Sequence, residues 1–529
     1  MHIDNYLNQY GFTAKKGIQE ALFVHRRLLE CRKSMELDTY VLNLDVKKAF
    51  DKMSPKMIYP LLRKLGAPPT LVAAIKHLYE TRIMTFKNSN AKVQHTENRT
   101  LLMQGGSLGP TMYKCLKLGV MLSLKKEDVW TEWQFAAQPY KIINDLSHTL
   151  KKVTSTNYQW NNEITLFMIM FADDMQLYFD SREQLQVGAP EFIKHLQRWG
   201  LHVHVATTLN EKSKSTVMYV QGAPHTAVDA TQPIKVPGGW IRFVDKYKFL
   251  GSIITKDLKL DEEIKNRTNA MRGNLSQYKD AISSKHLSVP FRKLIVRVCL
   301  DESLLYGSEA MSLTPNHIKK YESARLNVLR AMKNITGWDQ HVHHISGRSI
   351  LREFKMAPCA EKIRRRTFGF WKKVICKAPL ESPERMLMGR PYLLWDDVIH
   401  RPVSARKHDY SATMATYLEE RALQLYYYVV GLGKAVTFDH KALIKKLLCF
   451  TNTQSDMTST NNWIKLMKDS PKQWDWVVKY GQFEPKEAEA TEQDLRRKRQ
   501  NTFAPEVPRA WIIQRGGRAA LRTEMRQLT

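Results

Sequence analysis

Hydrophobic positions along the chain follow several rhythms, and each rhythm predicts an element. After the glycine-bounded basic turn GFTAKKG, which starts at Gly11, residues Ile18, Leu22, His25, Leu28 and Leu29 recur three and four apart. That spacing predicts a helix. YVLNLD then alternates: Tyr40, Leu42 and Leu44 point one way, Val41, Asn43 and Asp45 the other. It reads as a strand with a carboxylate at its C-terminal end. Ser54 and Pro55 have the form of an N-cap and first-turn proline, with Gly66 as the stop. Pro60 inside that span should kink the helix or delay its start. Asp51 reads as a turn residue. LLMQGGSLGP brings Gly105, Gly106 and Gly109 together where another backbone or a nucleotide could approach closely. Pro110 suits the first turn of a helix running on through Tyr113, Leu116 and Val120.

A long polar stretch, including TSTNYQWNN, reads as an insertion or loop. Beyond it lies the most informative pattern. An apolar run over 164–171 ends in Asp173 and Asp174, and a second run over 175–179 follows at once. This predicts a tight hairpin with two carboxylates at its turn. A solvated hairpin tip would show the same pair. Burying two like charges unpaired is costly, however, and a divalent cation between oxygen ligands removes that cost.

Residues 191–199 are amphipathic, and LHVHVATTLNEKSKSTVMYV reads as strand, turn, strand, with His202 and His204 lining a strand face. Gly238 and Gly239 precede a β-rich piece over 240–254 that contains YKFLGSIIT. From 261 to 337 the pattern is helical: Ile264, Thr268, Met271 and Leu275 recur beside Lys265, Arg267 and Arg272. Residues 338–480 are mostly helical by pattern. Within them, His341, His343 and His344 read as a surface loop. The second acidic pair, in WDDV at 395–398, lacks flanking strand runs and reads as structural. From 484 to 529 apolar residues are sparse and RRKR (496–499) precedes RGGR. Disorder is expected there, with a capacity to bind nucleic acid or an import receptor.

The chain has 529 residues, of which 43% are hydrophobic, enough for about three domains with real cores. Its formal net charge of +30 calls for a polyanionic partner, nucleic acid before an anionic membrane. No apolar run is long enough to span a bilayer, and the N-terminus lacks a signal-peptide pattern. The six cysteines are scattered without a CxxC pair, so an intracellular protein with free thiols is expected rather than a zinc knuckle or disulfide framework.

Asp45 at a strand end, a glycine loop opening a helix, and Asp173 with Asp174 on a hairpin form the type of constellation that two-metal phosphoryl transfer requires. Magnesium suits a few carboxylates plus substrate phosphates. The ordered segments QYGFTAKKGIQEALFVHRRLLE, DVKKAFDKM, QGGSLGP, FADDMQLYF, LNEKSKSTVM, YKFLGS and SLLYGSEAMSLT resemble the motifs of reverse transcriptases from non-LTR (LINE-type) retrotransposons, over about residues 8–340. The resemblance implies an α+β right-hand polymerase: partial fingers (1–37), a palm with an antiparallel sheet (38–222), then primer grip and helical thumb (223–340). A mostly helical C-terminal domain (341–480) and a basic tail (481–529) follow. It implies RNA-directed DNA synthesis from dNTPs on a DNA primer and RNA template, with two Mg2+ ions, or Mn2+ in their place.

By resemblance, Asp45, Asp173 and Asp174 would hold the metals, assisted by the Val46 carbonyl. Phe50 would be the gate that crowds a ribose 2′-hydroxyl. Gln104 and Gly105 would contact nucleotide and template. Lys214, with Lys212 as competitor, would protonate pyrophosphate. Phe249, Leu250 and Gly251 would grip the primer. QGGSLGP departs from the family in Gly109, often serine, and in Gly106–Ser107. The family's first finger motifs and an endonuclease are expected to be missing, as in a 5′-truncated element copy. The alternative is a catalytically inactive, retrotransposon-derived RNA-binding protein or relic. Basic residues in the tail would favour a nuclear location.

Overall fold

Alternation in YVLNLD gives one apolar face, Tyr40, Leu42 and Leu44, yet Thr39 and Val41 on the other face are buried as well, so the strand lies between two covering layers. The computed structural model describes residues 8–34, 37–47, 55–80, 83–87, 93–97, 108–126, 168–209, 211–222, 232–343, 345–379 and 382–384, then isolated positions and a last helix at 471–478. These residues fall into two units, divided between Lys259 and Leu260.

The first unit begins with α1 (Ile18–Ser34), β1 (Thr39–Leu44), α2 (Pro55–Lys64) and α3 (Pro69–Glu80). It continues with the hairpin β2 (Ile83–Lys87) and β3 (Val93–Glu97), then α4 (Gly109–Lys126). β4 (Met168–Phe171), β5 (Asp174–Phe179), α5 (Arg182–Arg198) and β6 (Thr216–Val220) follow. β7 (Ile234–Val236), β8 (Gly239–Phe243), β9 (Lys246–Phe249) and β10 (Ser252–Thr255) complete it. Six strands form one sheet in the order β4-β5-β1-β6-β8-β7. All of its pairings are antiparallel except β6 with β8, which is parallel.

β1 is central, and its two faces are covered differently. Tyr40, Leu42 and Leu44 join Met175, Leu177 and Phe179 of β5 in a core closed by α2, α3, α4 and α5. The opposite face carries Val41, Ile169 and Tyr178, and α1 packs across it against β4 and β1. Leu42 is fully buried, so truncating it to alanine would cost about 2–5 kcal/mol.

Local signals set several element ends. α2 starts at Pro55 and runs through Pro60 without the expected delay, and Gly66 ends the turn after it at φ 90°. The helix over 191–199 extends back to Arg182, where Ser181 caps it by accepting from the Gln184 N–H. LHVHVATT does not form the full strand its alternation predicts. Only Val203 and Ala206 make isolated bridges, to Val46 and Trp240. The basic face of α1 also differs from a solvated one, since Arg26, Arg27 and Arg32 are buried and paired with other groups.

The second unit is helical. α6 (Asp261–Ser283) and α7 (Val289–Ile295) come first, the latter continued by a π-turn over Val296–Asp301. α8 (Pro315–Lys333), α9 (Gly337–Val342), α10 (Gly347–Glu353), α11 (Cys359–Lys377) and α12 (Pro471–Val478) follow. A buried ion pair organises its centre: Arg325 Nε donates to Asp301 Oδ1 at 2.9 Å, and Lys362 binds the other oxygen of Asp301. Ser54, Asp51, His344, residues 395–398 and the tail over 484–529 lie outside the described residues.

Candidate active site

The expected carboxylates come together through strand register. Leu44 of β1 pairs with Met175 of β5, so the next rung sets Asp45 beside Asp174. Period two puts Asp45, Asn43 and Val41 on one face of β1, and Asp174, Gln176 and Tyr178 on the same face of β5. Asp174 is the first residue of β5, opposite Phe171. Ala172 and Asp173 make the two-residue turn between β4 and β5, Ala172 with a left-handed φ of 53°. Leu44 and Met175 fill the core beneath while the acidic groups cap the strand ends.

Crowding of the carboxylates shows at Asp174. Burial, then the neighbouring Asp173 and Asp45, push the Asp174 carboxyl up to about 6, partly opposed by Lys117. A cation among these oxygens would relieve that repulsion, so the donor set suits a hard divalent ion. Among the described residues, no group of three or more His, Cys, Asp or Glu side chains is gathered closely enough to hold a metal ion as it stands.

The far side of Asp45 is built by residues 202–215. The Lys47 N–H donates to the His202 carbonyl at 2.6 Å, and the His204 N–H to the Asp45 carbonyl at 2.8 Å. These bonds flank the bridge between Val46 and Val203, which leaves the Val46 carbonyl unused by that pairing. The Asp45 N–H donates to Ser215 Oγ at 3.1 Å. Ser215 N–H donates to Ser213 Oγ, and Ser213 Oγ donates to the His204 carbonyl. Lys214, between the two serines, brings its Nζ to 3.8 Å from Asp45 Oδ2 while its side chain stays 70% exposed. His204 Nε2 lies 3.4 Å from the same oxygen. Burial first, with Lys214 and Lys47 beside it and Asp45 opposing, lowers the His204 imidazole below its usual value.

Two neighbours carried no sequence signal as site residues. Tyr113 and Lys117, four apart on α4, face the acidic pair from the helical core. The Lys117 ammonium is fully buried, lies 5.4 Å from the centre of the Tyr113 ring, and has no hydrogen-bond partner among the described residues. Burial pulls it down to about 7, against the upward pull of Asp173 and Asp174. Burial likewise raises the Tyr113 phenol well above its usual value, with Asp173 and Asp174 adding to it. A lysine at helical spacing within an apolar run reads as a solvated position, and only the fold shows it buried.

The YKFLGS segment forms the hairpin β9–β10, turning at Leu250 and Gly251 with φ of 46° and 80°. Phe249 points inward, its ring 5.1 Å from that of His25 on α1. Leu250 and Gly251 are therefore the positions at the tip. Phe50, Gln104 and Gly105 lie outside the described residues.

A family model described as reverse transcriptase (RNA-dependent DNA polymerase) matches residues 4–254. Among curated proteins, the chain is 23% identical over 363 residues to the RNA-directed DNA polymerase from mobile element jockey of Drosophila melanogaster, covering 67% of this chain and 34% of that protein. It is 23% identical over 219 residues to the retrovirus-related Pol polyprotein from type-2 retrotransposable element R2DM of the same organism, covering 40% of this chain and 18% of the relative. The chain thus spans about a third or less of the length of these relatives. Among solved structures, telomerase from Candida albicans with a fragment of telomeric RNA aligns at 11% identity and TM-score 0.30, over 70% of this chain and 54% of that one. Apo telomerase from Candida tropicalis aligns at 12% identity and TM-score 0.30, over 72% and 56%. The motifs, the α+β architecture and the family match agree: residues 4–254 of this chain are similar to reverse transcriptases, and both curated relatives are mobile-element proteins.

Proposed function

We propose that the chain is an RNA-directed DNA polymerase that adds dNTPs to a primer 3′-hydroxyl. The observation that carries this is the rung between β1 and β5, which sets Asp45 beside Asp174 with Asp173 in the adjoining turn. Asp45, Asp173 and Asp174, with the Val46 carbonyl, would hold two Mg2+ or Mn2+ ions. Such ions lower the pKa of an attacking hydroxyl and neutralise a leaving pyrophosphate. Lys214 stands on the Asp45 side with its ammonium largely in solvent, free to meet a departing phosphate as a proton donor. The turn at Leu250 and Gly251 would contact the primer backbone, and the +30 charge would hold an RNA template with its DNA primer through phosphates.

Primer extension on an RNA template tests this. Wild type should incorporate dNTPs with Mg2+ or Mn2+, while Asp45→Asn and Asp173→Asn should each lose at least about 100-fold in kcat. Equal incorporation by wild type and Asp173→Asn, or none by wild type under either metal, would reject catalysis by this site.

One observation favours a second reading, RNA binding without catalysis. Lys117 already supplies a buried positive group beside Asp173 and Asp174, where it competes in charge with a metal ion. Salt-sensitive RNA binding with no incorporation would identify that case.

A further inference from the structure

The segment ahead of α1 has no part in the chemistry above, yet it is built onto the acidic turn. Tyr10 N–H donates to the Met170 carbonyl at 2.8 Å and Met170 N–H to the Asn8 carbonyl at 3.1 Å, which adds residues 8–10 to the edge of β4 as a short parallel pairing. Gln9 lies inside this pairing and is 1% exposed. Its Oε1 accepts from the N–H of Ala172 and from the N–H of Gly11, both at 3.0 Å. Its Nε2 donates to the Ala172 carbonyl at 3.5 Å. One side-chain amide therefore engages both the donor and the acceptor of a single backbone residue.

That residue is itself under strain. Ala172 sits at φ 53°, a conformation that glycine adopts freely and alanine does not. Gly11 completes the seat: a Cβ there would fall 2.5 Å from the Ala172 nitrogen, so only glycine permits the approach. The residue after Ala172 is Asp173. Strained backbone persists where surrounding contacts over-determine it, and here those contacts come from a segment more than a hundred residues away in sequence.

The geometry points to Gln9 as a positioning residue that holds Ala172 in its left-handed conformation and thereby sets the Asp173 carboxylate relative to Asp45 and Asp174. This rests on the proposal that the three carboxylates hold divalent cations, and the test separates the two.

The protein is titrated with Mn2+ without substrates, followed by electron paramagnetic resonance. In parallel, kcat and KM for dTTP are measured on a poly(rA)/oligo(dT) template–primer, and thermal melting checks folding. Wild type should show Mn2+ binding that Asp173→Asn removes. Gln9→Ala should weaken that binding and lower kcat by about 10-fold or more, with KM for dTTP changed less than about twofold, since misplacing a reacting group costs rate before it costs binding. Should Gln9→Ala melt early, Gln9→Met carries the test, because it keeps the length and loses all three hydrogen bonds.

Adding Ala172→Gly to the Gln9 variant should restore at least half of the lost Mn2+ affinity on a logarithmic scale, because glycine reaches the same φ without the clamp. A merely structural Gln9 would not be rescued in this way. Unchanged Mn2+ affinity in folded Gln9→Ala and Gln9→Met, or no rescue by Ala172→Gly, overturns the inference. So does wild-type Mn2+ binding that is indifferent to Asp173. If wild type binds Mn2+ through Asp173 but polymerises nothing, the polymerase proposal fails, and the Mn2+ titrations still decide the role of Gln9.

Discussion

Asp174 and Lys117 show how single side chains record their surroundings. Asp174 is raised to about 6 in the folded chain from an ordinary 3.8, by burial and by two neighbouring carboxylates. Between those values the folded state binds more protons than the unfolded one, so this group makes stability fall as pH rises from about 4 to about 6. With no divalent ion present, Asp174→Asn should flatten the melting temperature over that window. Added Mg2+ should raise the melting temperature of wild type above pH 6 and leave that of Asp174→Asn nearly unchanged. A wild-type curve parallel to that of the variant would refute the assignment.

Lys117 has the opposite sign. Its ammonium is lowered from 10.5 to about 7, so the unfolded chain binds the extra proton between those values and stability climbs with pH there. Lys117→Met, of similar length and without the charge, should raise the melting temperature at pH 7 by about 2 °C or more. A lower melting temperature would mean that the ammonium is a net support for the acidic pair. Neither residue's state was legible beforehand. Adjacency in DD shows repulsion, but its size depends on burial and on Asp45, which lies far upstream in the sequence.

At the scale of elements, α1 joins the parts of the first unit. Its apolar spacing is plain in the sequence, but where its basic side chains go is not. Arg26 instead donates to Ser252 Oγ at 2.8 Å and to the Ile253 carbonyl at 2.9 Å, on the β9–β10 hairpin. Arg32 donates to Thr39 Oγ1 at 2.6 Å and pairs with Asp180. His25 lies between two phenols, Nδ1 at 2.5 Å from Tyr178 and Nε2 at 2.5 Å from Tyr247. Burial, then Arg26, hold its pKa near 3, so at neutral pH one ring nitrogen donates and the other accepts. His25 therefore ties the β9–β10 hairpin to the face of β5 that carries Asp174. His25→Phe would strand two buried hydroxyls and should destabilise the fold by about 2 kcal/mol or more in urea unfolding. A loss below about 0.5 kcal/mol would show that the hydroxyls find other partners. The partners of these arginines are not legible in the sequence, because a charged side chain on a helix is normally solvated and several of their acceptors lie far along the chain.

For the whole molecule, the excess of 82 Lys and Arg over 52 Asp and Glu predicts phosphate-dominated binding. The logarithm of the affinity for an RNA–DNA template–primer should fall linearly with the logarithm of salt, losing about 10-fold or more between 50 and 200 mM KCl in a filter-binding or anisotropy titration. A flat dependence would mean that the charge serves some other purpose.

What the sequence determined by itself is what short-range sterics and spacing control. The period of two in YVLNLD and the apolar runs on either side of the acidic pair put Asp45 and Asp174 at strand ends and Asp173 in the turn, and the three-four spacing after Ile18 and after Pro110 makes helices. Each of those patterns is legible within a dozen residues. Which strands are neighbours was decided only by the tertiary structure, since pairing depends on closing long stretches of chain and burying both faces of β1 at once. That closure sets Asp45 beside Asp174, seats Gln9 on the Ala172 turn, buries Lys117 under the acidic pair and brings His204 and Lys214 to Asp45. The physical reason is that a dihedral preference acts within a few bonds, whereas the position of a charge in a folded core is fixed by everything packed around it.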